Sequence, residues 1–83
     1  MKRNPHASNE AHLRSLLKEY RKKAELRQED LAEILGTPQS FVSKYESGER
    51  LLTFIEVQGI CEKLGVPFRE LVNRYLKDVD DTQ

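Results

Sequence analysis

Apolar residues recur along this chain at the spacing of helices that bury one face. The stripe nearest the start follows the i, i+3, i+4, i+7 rule of an amphipathic helix, and it consists of Leu13, Leu16, Leu17, Tyr20 and Ala24. This stripe predicts a first helix over about residues 9–24, and Ser8 or Asn9 can provide its N-cap.

Two short helices are predicted next, on either side of a tight turn. The second begins near Gln28 and ends at Gly36, because glycine is favoured just beyond a last helical turn. Pro38 opens the third helix, where its missing N–H costs nothing, and Ser47-Gly48 ends it. The apolar residues of the second helix are Leu31, Ala32, Ile34 and Leu35, and the inward pair of the third helix is Val42 and Tyr45.

A fourth and a fifth helix complete the pattern. Thr53 and Glu56 have the spacing of a capping box, which starts the fourth helix, and Gly65 ends it. Pro67 starts the fifth helix. Their apolar faces comprise Val57, Ile60, Cys61 and Leu64, and then Phe68, Leu71, Val72, Tyr75 and Leu76. No strand-length stretch alternates apolar and polar residues, so the sequence predicts an all-α fold of five helices in one domain.

The composition agrees with one small domain. With 37% hydrophobic and 34% charged residues, the 83-residue chain is too apolar for obligate disorder and too polar for a membrane protein. We predict a flexible basic arm at residues 1–8, a folded domain at 9–77 and an acidic tail at 78–83. No secretory signal is visible and the chain has a single cysteine, which together favour a reducing cytoplasm.

The net charge of zero hides a gradient along the chain. Residues 1–28 carry 8 basic and 3 acidic side chains (+5), residues 29–50 carry 2 and 5 (−3), and residues 51–83 carry 4 and 6 (−2). Such asymmetry is typical of a protein with a polyanion-facing side, but a solvated helix surface produces it equally well. On charge alone both interpretations stay open.

Candidate catalytic and metal-binding residues are few. His6 and His12 lack the spacing and the companion glutamate of a zinc-protease helix. Cys61 lies at core spacing, where a cysteine is usually a small buried hydrophobe. Because neither a glycine-rich phosphate loop nor a nucleophile elbow is present, the sequence predicts no enzyme, no metal site and no cofactor.

The outer face of the third helix carries short or flexible hydrogen-bonding side chains and no acid. These residues are Gln39, Ser40, Ser43, Lys44 and Ser47, with Phe41 at the edge. Glutamine pairs with adenine, lysine with guanine and serine with either, and an aromatic ring can contact a thymine methyl group. This face therefore suits base edges in a major groove, although an ordinary solvated helix would look similar.

The order of these features resembles a known family. Residues 13–76 are similar to the Cro/C1-type (XRE) helix-turn-helix regulators of bacteria and phages, which have a lambda-repressor-like DNA-binding domain. The resemblance rests on Arg21, on Gln28-Glu29-Asp30-Leu31-Ala32, on Gly36, on the run from Gln39 to Gly48, and on the run from Ile60 to Val66. No single piece is specific, but their order and spacing together are.

The resemblance implies a role for each matching residue. Gln28 matches a glutamine that binds a DNA phosphate at a helix N-terminus, and Arg50 lies in a loop where a phosphate contact is common. Ser43 and Ser47 match positions close to the DNA backbone. The base-reading positions correspond to Gln39, Ser40 and Lys44. Phe41 is a further candidate for base contact, because it lies at the edge of the same helix face.

Arg21 and Glu46 match a family ion pair that joins the first helix to the end of the third. The alternative for Arg21 is a direct phosphate contact or free solvent. At the start of the third helix, Pro38 replaces the small polar residue that usually caps it, so the cap is expected to pass to Thr37.

The resemblance also implies double-stranded DNA as a partner and a homodimer on an inverted repeat. The candidate interface consists of Phe54, Ile55, Tyr75 and Leu76. The alternative is that these residues complete the core of the monomer. Lys2 and Arg3 can reach a phosphate or a minor groove, or they only aid solubility.

The function expected from the resemblance is that of a small transcriptional regulator, a repressor rather than an activator, associated with the nucleoid in a bacterial or phage context. The alternative is an antitoxin or another protein-interaction module. A protein partner, polymerase or toxin, stays unidentified, and no membrane partner is expected.

Overall fold

The computed structural model describes the backbone of residues 5–81 and the side chains of residues 9–79. Within this part of the chain the fold consists of five α-helices. They are α1 (Pro5–Lys23), α2 (Gln28–Leu35), α3 (Gln39–Ser47), α4 (Phe54–Leu64) and α5 (Phe68–Asp81). The prediction of an all-α, five-helix fold is confirmed.

All five helices contribute to a single core. Helix α1 packs against α3, α4 and α5, while α2 packs against α3 and α4. The buried residues are Leu16, Leu17 and Tyr20 of α1, Leu31 and Ala32 of α2, Val42 and Tyr45 of α3, Val57, Ile60 and Cys61 of α4, and Leu71 of α5. Burial of one leucine stabilises a fold by about 1.5–3 kcal/mol, so this cluster holds the inner face of α3 firmly in place.

The prediction that Cys61 lies in the core is confirmed. Its side chain is buried and its thiol is free. Burial raises the pKa of Cys61 to about 11, so the reactive thiolate is scarce at neutral pH.

Both ends of the folded part differ from the prediction. Helix α1 begins at Pro5, inside the segment expected to form an arm, so Ser8 and Asn9 lie within the helix and neither caps it. Helix α5 continues to Asp81 through most of the expected tail. Lys2 and Arg3 lie outside the described residues.

The turns that end α1 and α2 use left-handed backbone. Gly36 follows α2 with φ of 74°, as predicted for a glycine that lacks the Cβ clash. Glu25 occupies the corresponding place after α1 with φ of 62°, which costs an L-residue about 1–2 kcal/mol. Arg21 supports this turn, because its Nη1 donates a 2.7 Å hydrogen bond to the carbonyl of Leu26.

The start of α3 corrects two expectations. Pro38 is the N-cap residue and lies just outside the helix, with extended backbone and no side-chain cap. Thr37 does not cap α3 either, because its hydroxyl donates to the carbonyl of Ala32 at 3.4 Å. Since that carbonyl belongs to α2, the threonine strengthens the turn between α2 and α3.

Polar contacts between α5 and α1 add to the packing of α5 against the core. Arg74 donates two hydrogen bonds to Glu19, and His12 contacts Asp78 at 2.7 Å. Of the five apolar residues predicted to be buried on this helix, Leu71 is buried, whereas Leu76 is 51% exposed. The prediction for Leu76 was therefore wrong in the monomer, and an apolar edge of α5 faces outward.

Candidate nucleic-acid interface

The core fixes which face of α3 points outward. Val42 and Tyr45 are fully buried, and at about 100° per residue the opposite side of the helix carries the polar residues. Gln39, Ser40 and Lys44 are exposed there. The structure thus brings together three residues that the sequence assigned to base reading.

A chain of hydrogen bonds connects this face to the interior. Arg21 Nε and Nη2 donate to the two carboxylate oxygens of Glu46 at 2.7 and 3.0 Å. Gln28 Nε2 donates to Glu46 at 2.9 Å, and Gln39 Nε2 donates to the Gln28 carbonyl oxygen at 3.2 Å. The first residue of α2 and the first residue of α3 are therefore tied to one buried carboxylate.

The Arg21–Glu46 pair at the base of this chain is almost completely buried. The two side chains are 7% and 3% exposed. The paired geometry is bidentate, which is the strongest arrangement of an arginine with a carboxylate. Arg21 therefore joins α1, the turn after α1 and the end of α3.

The two serines assigned to the DNA backbone are engaged within α3. The Ser43 hydroxyl donates to the Ser40 carbonyl at 3.3 Å, and the Ser47 hydroxyl donates to the Lys44 carbonyl at 3.0 Å. Ser47 is exposed and Ser43 is half-buried. A hydroxyl rotates freely, so either group can turn from its own helix toward a phosphate.

Phe41 is not placed with the base-reading residues. Its half-buried ring packs against the core and lies 5.5 Å from the Tyr45 ring in an edge-to-face arrangement. The Arg50 guanidinium covers it at 4.7 Å from the ring centroid. The ring lines a groove beside Gly59 and Ile60 of α4, and its contact with a thymine methyl group stays a prediction.

Arg50 is held by an acid of its own chain. Its guanidinium donates to both carboxylate oxygens of Glu56 at 3.0 and 2.9 Å. Glu56 also accepts from the Thr53 N–H, completing the predicted capping box of α4. A phosphate at Arg50 would have to compete with Glu56, which the sequence did not indicate.

A second, apolar surface lies away from this polar face. Phe54 and Ile55 are 67% and 70% exposed at the start of α4. Phe54 packs edge-to-face on Phe68 at 5.2 Å, at the rim of a groove of about 310 Å³ that Tyr75 and Leu76 also line. Three of the four residues assigned to a dimer interface, Phe54, Tyr75 and Leu76, therefore line one apolar groove. Ile55 follows Phe54 in the first turn of α4 and is exposed.

A sequence profile of the helix-turn-helix family matches residues 17–71, well over half of the chain. This chain belongs to the Cro/C1-type (XRE) helix-turn-helix family. The match includes α2 and α3, which are the two helices of the XRE-family motif, together with the buried residues of α4.

A solved structure supports the same assignment. The chain is similar to an XRE-family like protein from Pseudomonas syringae pv. tomato str. DC3000, with a TM-score of 0.82 and 39% sequence identity. The similarity covers 87% of this chain and 88% of the other. No curated protein matches the sequence.

None of the helices between residues 5 and 81 combines the length and apolar composition needed to cross a bilayer. Among the same described residues, no three histidine, cysteine, aspartate or glutamate side chains lie close enough to hold a metal ion.

The Arg50–Glu56 contact makes the stability of this XRE-family protein depend on pH. The Arg50 guanidinium and the Thr53 N–H lower the pKa of Glu56 to about 2. A lowered pKa means that the carboxylate stabilises the fold fully above the unfolded pKa of about 4.3, and this stabilisation is lost as the pH falls toward 2.

We therefore expect the melting temperature of Glu56→Gln to fall less than that of the wild type when the pH is lowered from about 6 to about 3. Glutamine still serves a capping box, so α4 keeps its start. Thermal melts followed by circular dichroism check this. The control is Glu62→Gln, an exposed position on the same helix without an ion pair among the described side chains, which should leave the acid response unchanged.

Proposed function

We propose that this protein is a transcriptional regulator that binds a specific double-stranded DNA sequence. The observation that carries the proposal is the hydrogen-bond chain from buried Arg21 through Glu46 and Gln28 to Gln39. It orders a side chain on an exposed helix face before any ligand arrives. Such preorganisation reduces the entropic cost of binding.

The amide of Gln39 has the right groups left over to read adenine. Its Nε2 carries two hydrogens, of which Gln28 accepts one. One N–H and the carbonyl oxygen remain for the groove, and these match adenine N7 and N6. Lys44 is exposed five residues further along the helix and is suited to guanine O6 and N7.

Gln28 has a different task in this proposal. It is the first residue of α2, where free backbone N–H groups favour an anion such as a phosphate. A phosphate contact positions the protein on DNA without selecting a sequence. Gln28 therefore orients Gln39 and anchors α2 on the backbone.

A dimer follows from the size of the reading surface. The 9 residues of α3 extend about 13 Å, or about four base pairs, which is too few to select a genomic site. Two copies joined through Phe54, Ile55, Tyr75 and Leu76 would read an inverted repeat with half-sites about 34 Å apart. An exposed apolar surface of this kind is typical of a protein interface.

Repression is the mode of regulation that this proposal favours. A dimer on an inverted repeat excludes polymerase sterically when the site overlaps a promoter, and this needs no further surface. The protein would act on the nucleoid in the cytoplasm.

The test is a selection of genomic fragments with the purified protein. An enriched two-fold symmetric motif would support sequence-specific binding and a dimer together, and its half-site spacing would define the dimer geometry. Weak binding that depends only on salt, with no enriched motif, would contradict the proposal and favour a protein-binding role such as that of an antitoxin.

Mutations of the two glutamines should separate their tasks. We expect Gln39→Ala to weaken binding to the selected site by about 1–3 kcal/mol and to relax the preference at one base position. Gln28→Ala should weaken binding to random DNA through the lost phosphate contact, and should weaken the selected site further because Gln39 loses its support. Fluorescence anisotropy on both duplexes measures this. Equal losses from both variants on both duplexes would contradict the division of roles.

A further inference from the structure

Arg14 of α1 lies against the far end of α3. Its guanidinium packs on Gly48, the residue that ends α3, so closely that a Cβ on the glycine would lie 3.0 Å from Arg14 Cζ. Gly48 also has φ of 92°, a conformation that favours glycine. The missing side chain at residue 48 thus creates the space that Arg14 occupies.

The charge of Arg14 is unpaired within the described structure. Arg21, Arg50 and Arg74 each form an ion pair with a glutamate. Arg14 is half-buried, yet it has no carboxylate partner among residues 9–79. Glu10 lines the same small pocket but forms no ion pair with Arg14. Partial burial of a cation without an anion is unfavourable, so an external anion beside the guanidinium would be stabilised.

The length of α3 indicates which anion can reach Arg14. The helix has 9 residues and spans about 13 Å, close to the ~12 Å width of the major groove. In the proposed complex Gln28 lies at the end of α3 that faces one phosphate backbone. Gly48 and Arg14 lie at the other end, where the backbone of the opposite strand passes.

We propose that Arg14 binds a DNA backbone phosphate across the groove from Gln28, so that α1 belongs to the DNA-binding surface. This inference rests on the proposed DNA-binding function. The contact would be charge-assisted, and the guanidinium would present its planar donors to the phosphate oxygens. Because phosphates lie at every site, Arg14 would add affinity without sequence preference.

The salt dependence of binding tests this directly. We expect Arg14→Gln to lower affinity for the selected site and for random DNA by at least about tenfold each. The slope of log K against log salt should become shallower by about 0.9 per subunit, because one phosphate contact is lost. Arg14→Lys keeps the charge and should restore the slope. Anisotropy titrations between about 50 and 200 mM salt provide both quantities.

The matched control is Lys23→Gln, which removes an exposed charge from the opposite side of α1 and should leave the slope unchanged. A cation at the C-terminus of α3 also favours the helix dipole. A lower melting temperature of Arg14→Gln with wild-type affinity and slope would assign Arg14 to that purely structural role and overturn the inference. If the wild type itself bound neither duplex, the proposed function would fail instead.

Discussion

Replacing Arg21 by alanine should destabilise the fold by about 3–5 kcal/mol, because it leaves the Glu46 carboxylate buried without its cation. Glu46 is only 3% exposed, so the guanidinium and not bulk water solvates its carboxylate in the folded protein. In a domain of this size such a loss lowers the melting temperature by more than about 10 °C. Thermal and urea unfolding followed by circular dichroism measure it.

The control is Arg74→Ala, which breaks the Arg74–Glu19 pair on the surface. Those side chains are 37% and 50% exposed, and exposed pairs contribute at most about 1 kcal/mol. Equal effects of the two substitutions would show that burial does not determine how much the Arg21–Glu46 pair contributes to stability.

A double variant separates stability from DNA binding. Arg21→Met with Glu46→Met replaces the buried charges by apolar side chains, which is often neutral or stabilising. Gln28 would still lose its acceptor at Glu46, so Gln39 would lose its support. We therefore expect recovered stability without recovered DNA affinity. Recovery of both would show that the hydrogen-bond chain does not organise the reading face.

The substitution Ile55→Asp should abolish the dimer and reduce operator affinity by about 100-fold or more, since the second half-site would no longer bind at a high effective concentration. Ile55 is 70% exposed in the first turn of α4, where an acid favours the helix dipole. The monomer should therefore stay folded. Analytical ultracentrifugation and anisotropy on the selected site measure the two effects.

Ile34→Asp is the matched control for this dimer test. It removes the same side chain and adds the same charge in α2, at a position that is 44% exposed and does not line the apolar groove. We expect a dimer with wild-type operator affinity. A monomeric wild type at high micromolar concentration, both free and on DNA, would refute the dimer regardless of either variant.

The helix boundaries near the middle of the chain were predictable because they depend on local chemistry. Gly36 and Gly65 end α2 and α4, and Thr53 with Glu56 starts α4, as the sequence indicated. Each signal acts within about five residues, since it satisfies backbone groups of its own helix end. The start of α1 was missed because Pro5 precedes the apolar stripe by more than two turns.

The outward face of α3 also followed from periodicity, because Val42 and Tyr45 had to point inward. The roles of Phe41 and Arg50 did not follow from it. Periodicity placed Phe41 at the edge of the helix, but only the packing of α4 beside it decided that its ring joins the core. Glu56 likewise had a clear local role in a cap, and nothing local indicated that it also holds Arg50.

The sequence contains a weak indication that Arg14 lies near α3. Arg14 precedes Arg21 by seven residues, two helical turns, so both arginines lie on one face of α1 and both meet α3. Local spacing thus determined the helices, their ends and the faces they bury. Which charges are paired, which stay free and which apolar edge is left uncovered depended on contacts between residues far apart in the chain, and only the packing of the five helices decides those.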